Sequence, residues 1–183
     1  MAPKRKITVY IATSADGFIA RADGSVDWLD RPRSKGDYGM GAFYKSIDTI
    51  LWGRKTCDMA LGFQKKGVSR SAFDTKVKNY VFTRSLQSPA PAGVEFVSEP
   101  IKSFATGLRE KQGKDIWIMG GASIIASFLD EGEIDDFMIH AIPTFIGEGI
   151  PLIAPSRRTV PLKLISCTKF PDGVVKLHYT VRK

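Results

Sequence analysis

Two apolar segments of this chain run directly into glycine and then into residues with helical periodicity. Ile50-Leu51-Trp52 precedes Gly53-Arg54-Lys55-Thr56, and Ile116-Trp117-Ile118-Met119 precedes Gly120-Gly121-Ala122-Ser123. A strand that passes through glycine into a helix leaves backbone N–H groups free at the positive helix end, where they favour phosphate. Two such junctions predict a ligand with several phosphates, such as a dinucleotide.

Apolar strands alternate with helical segments along most of the chain, which favours a mostly parallel sheet covered on both faces. The predicted strands are 6–12, 49–52, 79–83, 94–97, 115–119 and 136–141. The predicted helices are about 38–46, 55–61, 101–111 and 122–131. No repeat or linker interrupts this order, so residues 1–183 are expected to form a single α/β domain.

The C-terminal residues follow a different pattern. Segments 162–170 and 174–182 flank Pro171-Asp172-Gly173, which is a turn signal. In the second segment, apolar residues alternate with polar ones from position 175 to position 182. A period of two predicts an antiparallel hairpin with one buried face.

Composition excludes several classes of protein. The chain has a net charge of +8, but its basic residues are dispersed and no RNA-binding or helix-turn-helix motif is present, so no nucleic-acid partner is expected. No apolar stretch reaches about 18 residues, so no membrane partner is expected. Cys57 and Cys167 lack metal-ligand spacing, which predicts two ordinary buried thiols in a reducing cytoplasm and no metal site.

Small or polar residues follow two other strands. Ala12-Thr13-Ser14-Ala15-Asp16-Gly17 would let a flat ligand approach the backbone closely, and a simple turn is the alternative. Thr83-Arg84-Ser85 follows a strand where a 2′-phosphate could be bound, and a polar turn is the alternative there. Arg54 would add guanidinium donors to the first glycine junction, or it could be solvated.

Few residues are suited to proton transfer. Asp37 lies at the start of a predicted helix, where an aspartate commonly caps the helix. His140 lies within a predicted strand, where a structural hydrogen bond is the more common role. No Ser-His-Asp, zinc-ligand or Walker-type arrangement is present. Hydride transfer by a bound cofactor is therefore the economical interpretation, because the cofactor carries the chemistry.

In this order, the motifs resemble the dihydrofolate reductase-like superfamily, and most of all the reductase domain of bacterial riboflavin biosynthesis with its stand-alone relatives. The residues that carry the resemblance are Ser14-Ala15-Asp16-Gly17-Phe18-Ile19, Ile50-Leu51-Trp52-Gly53-Arg54-Lys55-Thr56, Thr83-Arg84-Ser85, Asp115-Ile116-Trp117-Ile118-Met119-Gly120-Gly121-Ala122, Ile134-Asp135-Asp136-Phe137 and Pro143-Thr144-Phe145-Ile146-Gly147-Glu148-Gly149-Ile150-Pro151-Leu152. Each motif is weak alone, and the specific signal is their order over residues 6–182.

The resemblance implies an NADPH-dependent reductase with a mainly parallel eight-stranded sheet, helices on both faces and a C-terminal antiparallel hairpin. It also implies a cis peptide between Gly120 and Gly121, and it implies that Ala12 and Ile19 line the nicotinamide region. The other implied cofactor-binding residues are Gly53, Arg54, Lys55, Thr56, Gly121, Ala122 and Ser123 at the phosphates, with Thr83, Arg84 and Ser85 near the adenosine end.

The same resemblance implies a substrate site around Asp37, which precedes Gly53 by 16 positions as the substrate-binding carboxylate of dihydrofolate reductases does. Asp37 would be partly shielded and catalytic, orienting the substrate and feeding it a proton. Phe18, Trp28 and His140 would also bind substrate. His140 stands where those enzymes favour threonine, and the H-x-E and P-C-x-x-C motifs of the riboflavin deaminase domain do not occur in this sequence.

The sequence therefore predicts a reductase that transfers hydride from NADPH to a small pterin-like or pyrimidine-like heterocycle. One alternative is a non-catalytic nucleotide-binding module. Another is a 5-amino-6-(5-phosphoribosylamino)uracil reductase without its deaminase domain. A homodimer is expected, and the apolar Phe145-Ile146 and the C-terminal hairpin are the candidates for its interface.

Overall fold

The computed structural model describes residues 4–32, 35–67, 72–84 and 89–182. The strands are β1 (Ile7–Ser14), β2 (Phe18–Ala20), β3 (Ile47–Gly53), β4 (Lys78–Phe82), β5 (Val94–Val97), β6 (Asp115–Gly120), β7 (Asp136–Ile142), β8 (Ile150–Pro151), β9 (Leu162–Lys169) and β10 (Val175–Val181). The α-helices are α1 (Met40–Ser46), α2 (Arg54–Lys65), α3 (Ile101–Glu110) and α4 (Ala122–Asp130). A 3-10 turn covers Asp27–Leu29. In the described ranges, no helix has the length and apolar character needed to cross a membrane.

Eight strands form one sheet in the order β5-β4-β3-β6-β1-β7-β10-β9. Pairing is parallel from β5 to β7, whereas β10 pairs antiparallel with both β7 and β9. The predicted α/β class is thus confirmed. Sequence analysis missed the small antiparallel sheet of β2 and β8, because strands of two or three residues are too short to show a periodicity.

The two faces of the sheet carry different layers of core. Adjacent residues of a strand point to opposite faces, so β1 contributes Val9 to one layer and Tyr10 to the other. Val9 packs with apolar residues of α3 and α4, such as Phe128. Tyr10 packs with residues of α1 and α2, such as Phe43 and Cys57. Helices therefore cover both faces, as predicted.

Two buried arginines hold the amino-terminal edge of the sheet. Arg5 is 5% exposed and donates to the carbonyl of Leu108 and to Asp48. Arg109 is 7% exposed and donates to the Arg5 carbonyl and to Asp135, each at 2.6 Å. A buried charge is tolerated only when it is paired and hydrogen-bonded, and these contacts join the start of β1 to α3, β3 and the residue before β7.

The C-terminal hairpin forms as predicted, but its expected buried face is wrong. All eight residues of β9 are exposed, and all seven of β10 are only partly buried. The hairpin lies at the end of the sheet, where Tyr179 and Val181 of β10 pack at the border of the core and β9 stays exposed. Cys167 on β9 is consequently exposed, contrary to the prediction, whereas Cys57 on α2 is buried.

Replacing Arg109 should destabilise the fold. Arg109→Ala leaves Asp135 without its buried cation and the Arg5 carbonyl without this donor, so the free energy of unfolding should fall by about 3–5 kcal/mol. Urea denaturation followed by circular dichroism measures the change. Arg21→Ala is the control: it breaks an exposed ion pair with Asp27 and should leave the midpoint close to wild type. Equal midpoints for the two variants would contradict a structural role for Arg109.

Candidate functional site

The carboxyl ends of the parallel strands bring the predicted site residues to one edge of the sheet. β3 and β6 are neighbours, and they end at Gly53 and Gly120 respectively. β1 lies on the other side of β6 and ends at Ser14, so Ala12 belongs to the same edge. Ligands of open α/β sheets bind outside the carboxyl ends of the strands, which makes this edge the candidate site.

The two strand-to-helix junctions, at Gly53 and at Gly120–Gly121, meet at the centre of this edge with no side chain between them. A Cβ atom added to Gly53 would lie 3.3 Å from the Gly121 nitrogen and 3.4 Å from the Gly120 oxygen. One added to Gly121 would lie 3.2 Å from Oγ1 of Thr56. Gly120 has a φ of +132° and, as the resemblance implied, a cis peptide joins it to Gly121. A side chain at Gly53 or Gly121 would require these neighbours to shift by a few tenths of an ångström, and the φ of Gly120 is one that other residues rarely adopt.

Two helix N-termini consequently converge. Gly53 is the N-cap of α2 and Gly121 is the N-cap of α4, and within the described residues neither helix has a side-chain cap or an acidic residue in its first turn. The first N–H groups of both helices are therefore available to an anion. Lys55 and Ser123 lie exposed beside them, and Ala122 is buried. The arrangement suits a diphosphate group.

We call the bare backbone at Gly53 and Gly120–Gly121, with the first turns of α2 and α4, the glycine cradle. Next to it lie the residues predicted for the adenosine end and Arg54, which was predicted at the phosphates. Arg54 pairs with Asp58 at 2.9 Å and stacks over the ring of Phe96 at 5.1 Å. Thr83 follows β4, is half-buried, and donates its backbone N–H to Val97. Arg84 is exposed. Ser85, which was also predicted to bind here, lies outside the described residues.

An apolar cluster, which we call the apolar wall, lies at the ends of β1 and β7. Trp28 is 6% exposed and packs in a cluster that includes Ala12 and Tyr38. Its indole Nε1 is buried and has no hydrogen-bond partner among the described residues. Phe18 and Ile19 are half-buried on β2. The structure thus places Ala12 and Trp28 in one apolar cluster.

Asp16 holds a loop over this wall. Its carboxylate accepts the backbone N–H groups of Ile146 and Gly147, at 3.1 and 2.8 Å. A hydrogen bond from Ser14 and these two N–H groups keep the pKa of Asp16 below its ordinary value. Phe145 on the same loop is 79% exposed. The sequence motif containing Asp16 was recognised, but its partner 130 positions away was not.

Asp37 is not shielded, so this part of the site prediction is wrong. The residue is exposed, and its carboxylate accepts the N–H groups of Gly41 and Gly39 at 2.7 and 2.9 Å. These two hydrogen bonds lower the pKa of Asp37. The contacts are those of the capping alternative, at the turn that begins α1. An ionised carboxylate can accept a substrate N–H, but it holds no proton to donate at neutral pH.

His140 contacts protein groups rather than the surface of the site. It is 5% exposed, and its Nε2 lies 3.3 Å from both the Tyr10 hydroxyl and the Tyr38 carbonyl oxygen. Burial lowers the pKa of His140, a hydrogen bond to Tyr38 opposes this, and the charge of Lys176 adds to the lowering. The position does not support the predicted substrate contact, and it agrees with the structural alternative.

Sequence analysis missed the contacts that hold Tyr38 beside Asp37. Tyr38 has a φ of +56°, which is uncommon for a bulky residue. Its hydroxyl donates to Asp172, and Arg31 donates to both the carboxylate and the carbonyl of Asp172. The hairpin turn thus holds the segment that precedes α1. Pro171-Asp172-Gly173 gave a turn signal, but no local pattern reveals a partner more than 130 positions away.

Lys176 is a second residue that sequence analysis missed. It faces His140 across β7 and β10, and its charge contributes to the lowered pKa of Asp37. A Cβ atom added to Gly39 would lie 3.2 Å from its Nζ. Because Lys176 is a polar position of an alternating strand, the sequence predicts only that it faces solvent. The structure instead puts a cation near the exposed carboxylate of Asp37.

The sheet and its glycine cradle define an α/β protein of the dihydrofolate reductase-like fold. The structure of Enterococcus faecalis dihydrofolate reductase, which is complexed with NADP(H), superposes on it with a TM-score of 0.63 over 97% of both chains. The sequence identity is 15%, so this likeness concerns the fold alone.

The chain belongs to the RibD C-terminal domain family, which matches residues 5–176. The Bacillus subtilis protein YwjB is 38% identical over 177 residues, covering 96% of this chain and 98% of YwjB. A Shewanella sp. PV-4 structure, provisionally named a riboflavin biosynthesis protein, is 26% identical with a TM-score of 0.84 and covers 97% of this chain and 99% of its own. The resemblance drawn from the motifs is confirmed, and the chain is a member of a reductase-like family.

The buried His140 should make stability depend on pH. Because its pKa is lower in the folded protein, the unfolded chain binds the proton first as the pH falls below about 6.5. The wild type should lose stability from there downward, by at most about 1.4 kcal/mol per pH unit from this group. The His140→Gln variant should lose less stability per pH unit below about pH 6.5, whereas above pH 7 its stability should depend on pH as that of the wild type does. Urea denaturation from pH 5 to 8 tests this, and equal slopes for the two proteins below about pH 6.5 would contradict it.

Proposed function

We propose that this protein is an NADPH-dependent reductase that transfers hydride to a small pterin-like or pyrimidine-like heterocycle. The observation that carries the proposal is the cradle formed by Gly53 and Gly121, where two uncapped helix N-termini meet over bare backbone. Such a cradle suits the diphosphate of a dinucleotide. The family membership supports a redox cofactor over other dinucleotides.

The residues present fit NADPH along the whole carboxyl edge. The first turns of α2 and α4 would hold its diphosphate, with Thr56 and Ser123 as further donors. Arg84, exposed after β4, would bind the 2′-phosphate together with Thr83, and this would favour NADPH over NADH. Arg54 is less free for this role, because Asp58 and Phe96 already engage it. The nicotinamide would supply the hydride at the wall that contains Ala12.

The chain's own residues would orient the heterocycle. Asp37 would accept a hydrogen bond from a ring N–H, since its lowered pKa keeps it ionised. The buried Nε1 of Trp28 would donate to a ring acceptor, because it has no partner among the described residues and an unsatisfied buried donor is costly. Water would supply the proton to the reduced ring. This replaces the earlier expectation that Asp37 is the proton donor.

The names of related proteins suggest one substrate to test first. A Thermotoga maritima structure with the same fold is named a deaminase and 5-amino-6-(5-phosphoribosylamino)uracil reductase. This chain covers 57% of that protein, at 17% identity. The uracil derivative is a pyrimidine with N–H and carbonyl groups, so it offers a partner both to Asp37 and to Trp28.

One observation favours the alternative of a nucleotide-binding module without turnover. Both oxygens of Asp37 already receive backbone N–H groups, and the residue is exposed, so it could serve only as a cap. A module would keep the cradle and need no substrate contact. The two functions therefore differ in whether Asp37 matters for anything besides the start of α1.

The proposal is tested by NADPH oxidation at 340 nm across dihydropterins, aminouracils including the phosphoribosyl derivative, and quinones. Turnover of a pterin or pyrimidine, faster with NADPH than with NADH, is the expected result. Tight NADPH binding in calorimetry without turnover of any compound would favour the binding module. Failure to bind either cofactor would reject both functions.

The cradle itself gives a specific prediction. Gly53→Ala adds a methyl group against the rigid Gly120–Gly121 backbone, so it should weaken NADPH binding roughly tenfold or more in calorimetry. Gly62→Ala is the control in the same helix, because a Cβ there meets nothing within 4 Å. It should leave affinity unchanged and raise stability by about 1 kcal/mol through helix propensity. Unchanged affinity in Gly53→Ala would place the diphosphate elsewhere.

Asp37→Asn distinguishes substrate binding from capping. Asparagine also caps helices, so the melting temperature should stay near wild type. Loss of a charged acceptor should raise KM for the heterocycle roughly tenfold or more while NADPH affinity is retained. Asp74→Asn is the matched control, since Asp74 is an exposed turn carboxylate bonded to Lys76 and Tyr44, ahead of the amino end of β4. Identical kinetics for both variants would leave Asp37 only its capping role.

A further inference from the structure

A cleft separates helix α3 from the two outermost parallel strands, β4 and β5. It has a volume of about 250 Å³ and is lined by Tyr80, Glu95, Glu99, Ser103, Phe104, Gly107, Leu108 and Lys111. We call it the α3 cleft. The strands supply its floor and α3 supplies one wall. None of the eight lining residues belongs to the candidate functional site, so the proposed reductase activity does not account for the α3 cleft.

Gly107 keeps the α3 cleft open. It lies inside α3, where glycine is less favourable than any residue except proline. A Cβ atom added to Gly107 would meet nothing within 4 Å, so close packing does not require a glycine there. Because Gly107 lines the cleft, a longer side chain at this position would extend into it. The missing side chain therefore leaves room for a ligand.

Tyr80 presents an unpaired hydroxyl to the α3 cleft. The residue is 8% exposed, and its ring packs edge-to-face against Phe104 with the ring centroids 5.1 Å apart. In the ranges that the structure describes, its hydroxyl has no hydrogen-bond partner and is open to the cleft. Burial raises the pKa of Tyr80 and the charge of Glu95 adds to this, so the hydroxyl stays protonated. Its hydrogen-bonding capacity is left for a group inside the cleft.

Two carboxylates accompany this hydroxyl. Glu95 is the register partner of Tyr80 in the pairing of β4 with β5, so the two side chains point to the same face of the sheet. Glu99 lies between β5 and α3. Among the described residues, neither glutamate has an ion-pair partner. Lys111, the one cation of the lining, is exposed beyond the end of α3. The cleft thus has an excess of negative charge in a chain whose net charge is +8.

We propose that the α3 cleft binds a small organic molecule through a primary ammonium group. An ammonium group has three N–H donors, and the carboxylates of Glu95 and Glu99 with the Tyr80 hydroxyl are acceptors for them. Phe104 and Leu108 would contact the hydrocarbon part of the ligand. An anionic ligand would instead face two carboxylates. The proposal does not depend on the reductase function, because it rests on residues outside the candidate functional site.

Titration of the full ¹⁵N-labelled chain, followed by NMR, tests the proposal with three probes of similar length. Butylamine carries only the ammonium group, butanoate carries only a carboxylate, and 4-aminobutanoate carries both. The two ammonium probes should shift the backbone amide signals of Glu95 and Ser103 saturably, and butanoate should not. Tighter binding of 4-aminobutanoate than of butylamine would identify a zwitterionic ligand that also uses Lys111, and equal affinities would identify a simple amine. Saturation by butanoate, or by none of the probes, would overturn the proposal.

Two pairs of variants separate the α3 cleft from general attraction of cations. Gly107→Leu should raise the Kd of butylamine at least about tenfold by filling the cleft, and leucine favours the helix, so the fold should persist. Gly62→Leu in α2 is its control, because a Cβ there also meets nothing within 4 Å, and its Kd should stay unchanged.

Glu99→Gln should raise the Kd of butylamine roughly fivefold by removing a charged acceptor. Glu110→Gln makes the same change of charge on an exposed residue of α3 that does not line the cleft, and it should leave the Kd unchanged. Equal effects of these two variants would reduce the binding to non-specific attraction and overturn the proposal. An unchanged Kd in Gly107→Leu would overturn it as well.

Discussion

The contact between Gly53 and the Gly120–Gly121 peptide is the constraint on which the candidate site depends. The helices α2 and α4 lie in the core layers on opposite faces of the sheet, so their N-termini can meet only where β3 and β6 end. They meet closely because no side chain separates them, as the distances of 3.3 and 3.4 Å from a hypothetical Cβ of Gly53 show. The positive ends of two helices thereby act on one small region, which is the physical basis of an anion site.

Charged groups are used differently at the two edges of the sheet. At the amino-terminal edge, Arg5 and Arg109 are buried, and they join the start of β1 to α3 and β3. At the carboxyl edge, Asp16 and Asp37 are exposed and receive backbone N–H groups that shape a loop and a turn. Removing a buried ion partner is costly, whereas an exposed carboxylate remains available to a ligand. The charged residues that stabilise the fold therefore lie at the amino ends of the strands, and the candidate binding residues lie at the carboxyl ends.

The C-terminal hairpin connects the site to the outer surface of the molecule. Its turn holds Tyr38 through Asp172, and one of its strands places Lys176 opposite His140. Its outer strand contributes almost nothing to the core. This combination connects a two-stranded extension at the end of the sheet to the candidate site.

Local sequence pattern determined the fold class and the glycine cradle. The strand that ends in Gly53 and the strand that ends in Gly120 are apolar runs followed by helical periodicity, and both signals lie within a few residues. The predicted strand 94–97 agrees with β5 to the residue, and the other long strands and the helices were located with shifts of a few residues at their ends. Glycine pairs constrain backbone wherever they occur, so the cradle could be located before the fold was known.

Tertiary structure alone decided the roles of individual polar side chains. His140 is buried because β7 lies between β1 and β10, and Asp37 is exposed because the turn before α1 lies at the surface. The burial of His140 depends on partners about 100 positions away, such as Tyr38, which no local periodicity encodes. Alternation likewise predicted a buried hairpin face, but burial requires a second layer, and in a single chain no layer reaches β9. The sequence alone determines which side of a strand is apolar, and only the surrounding structure decides whether that side is covered.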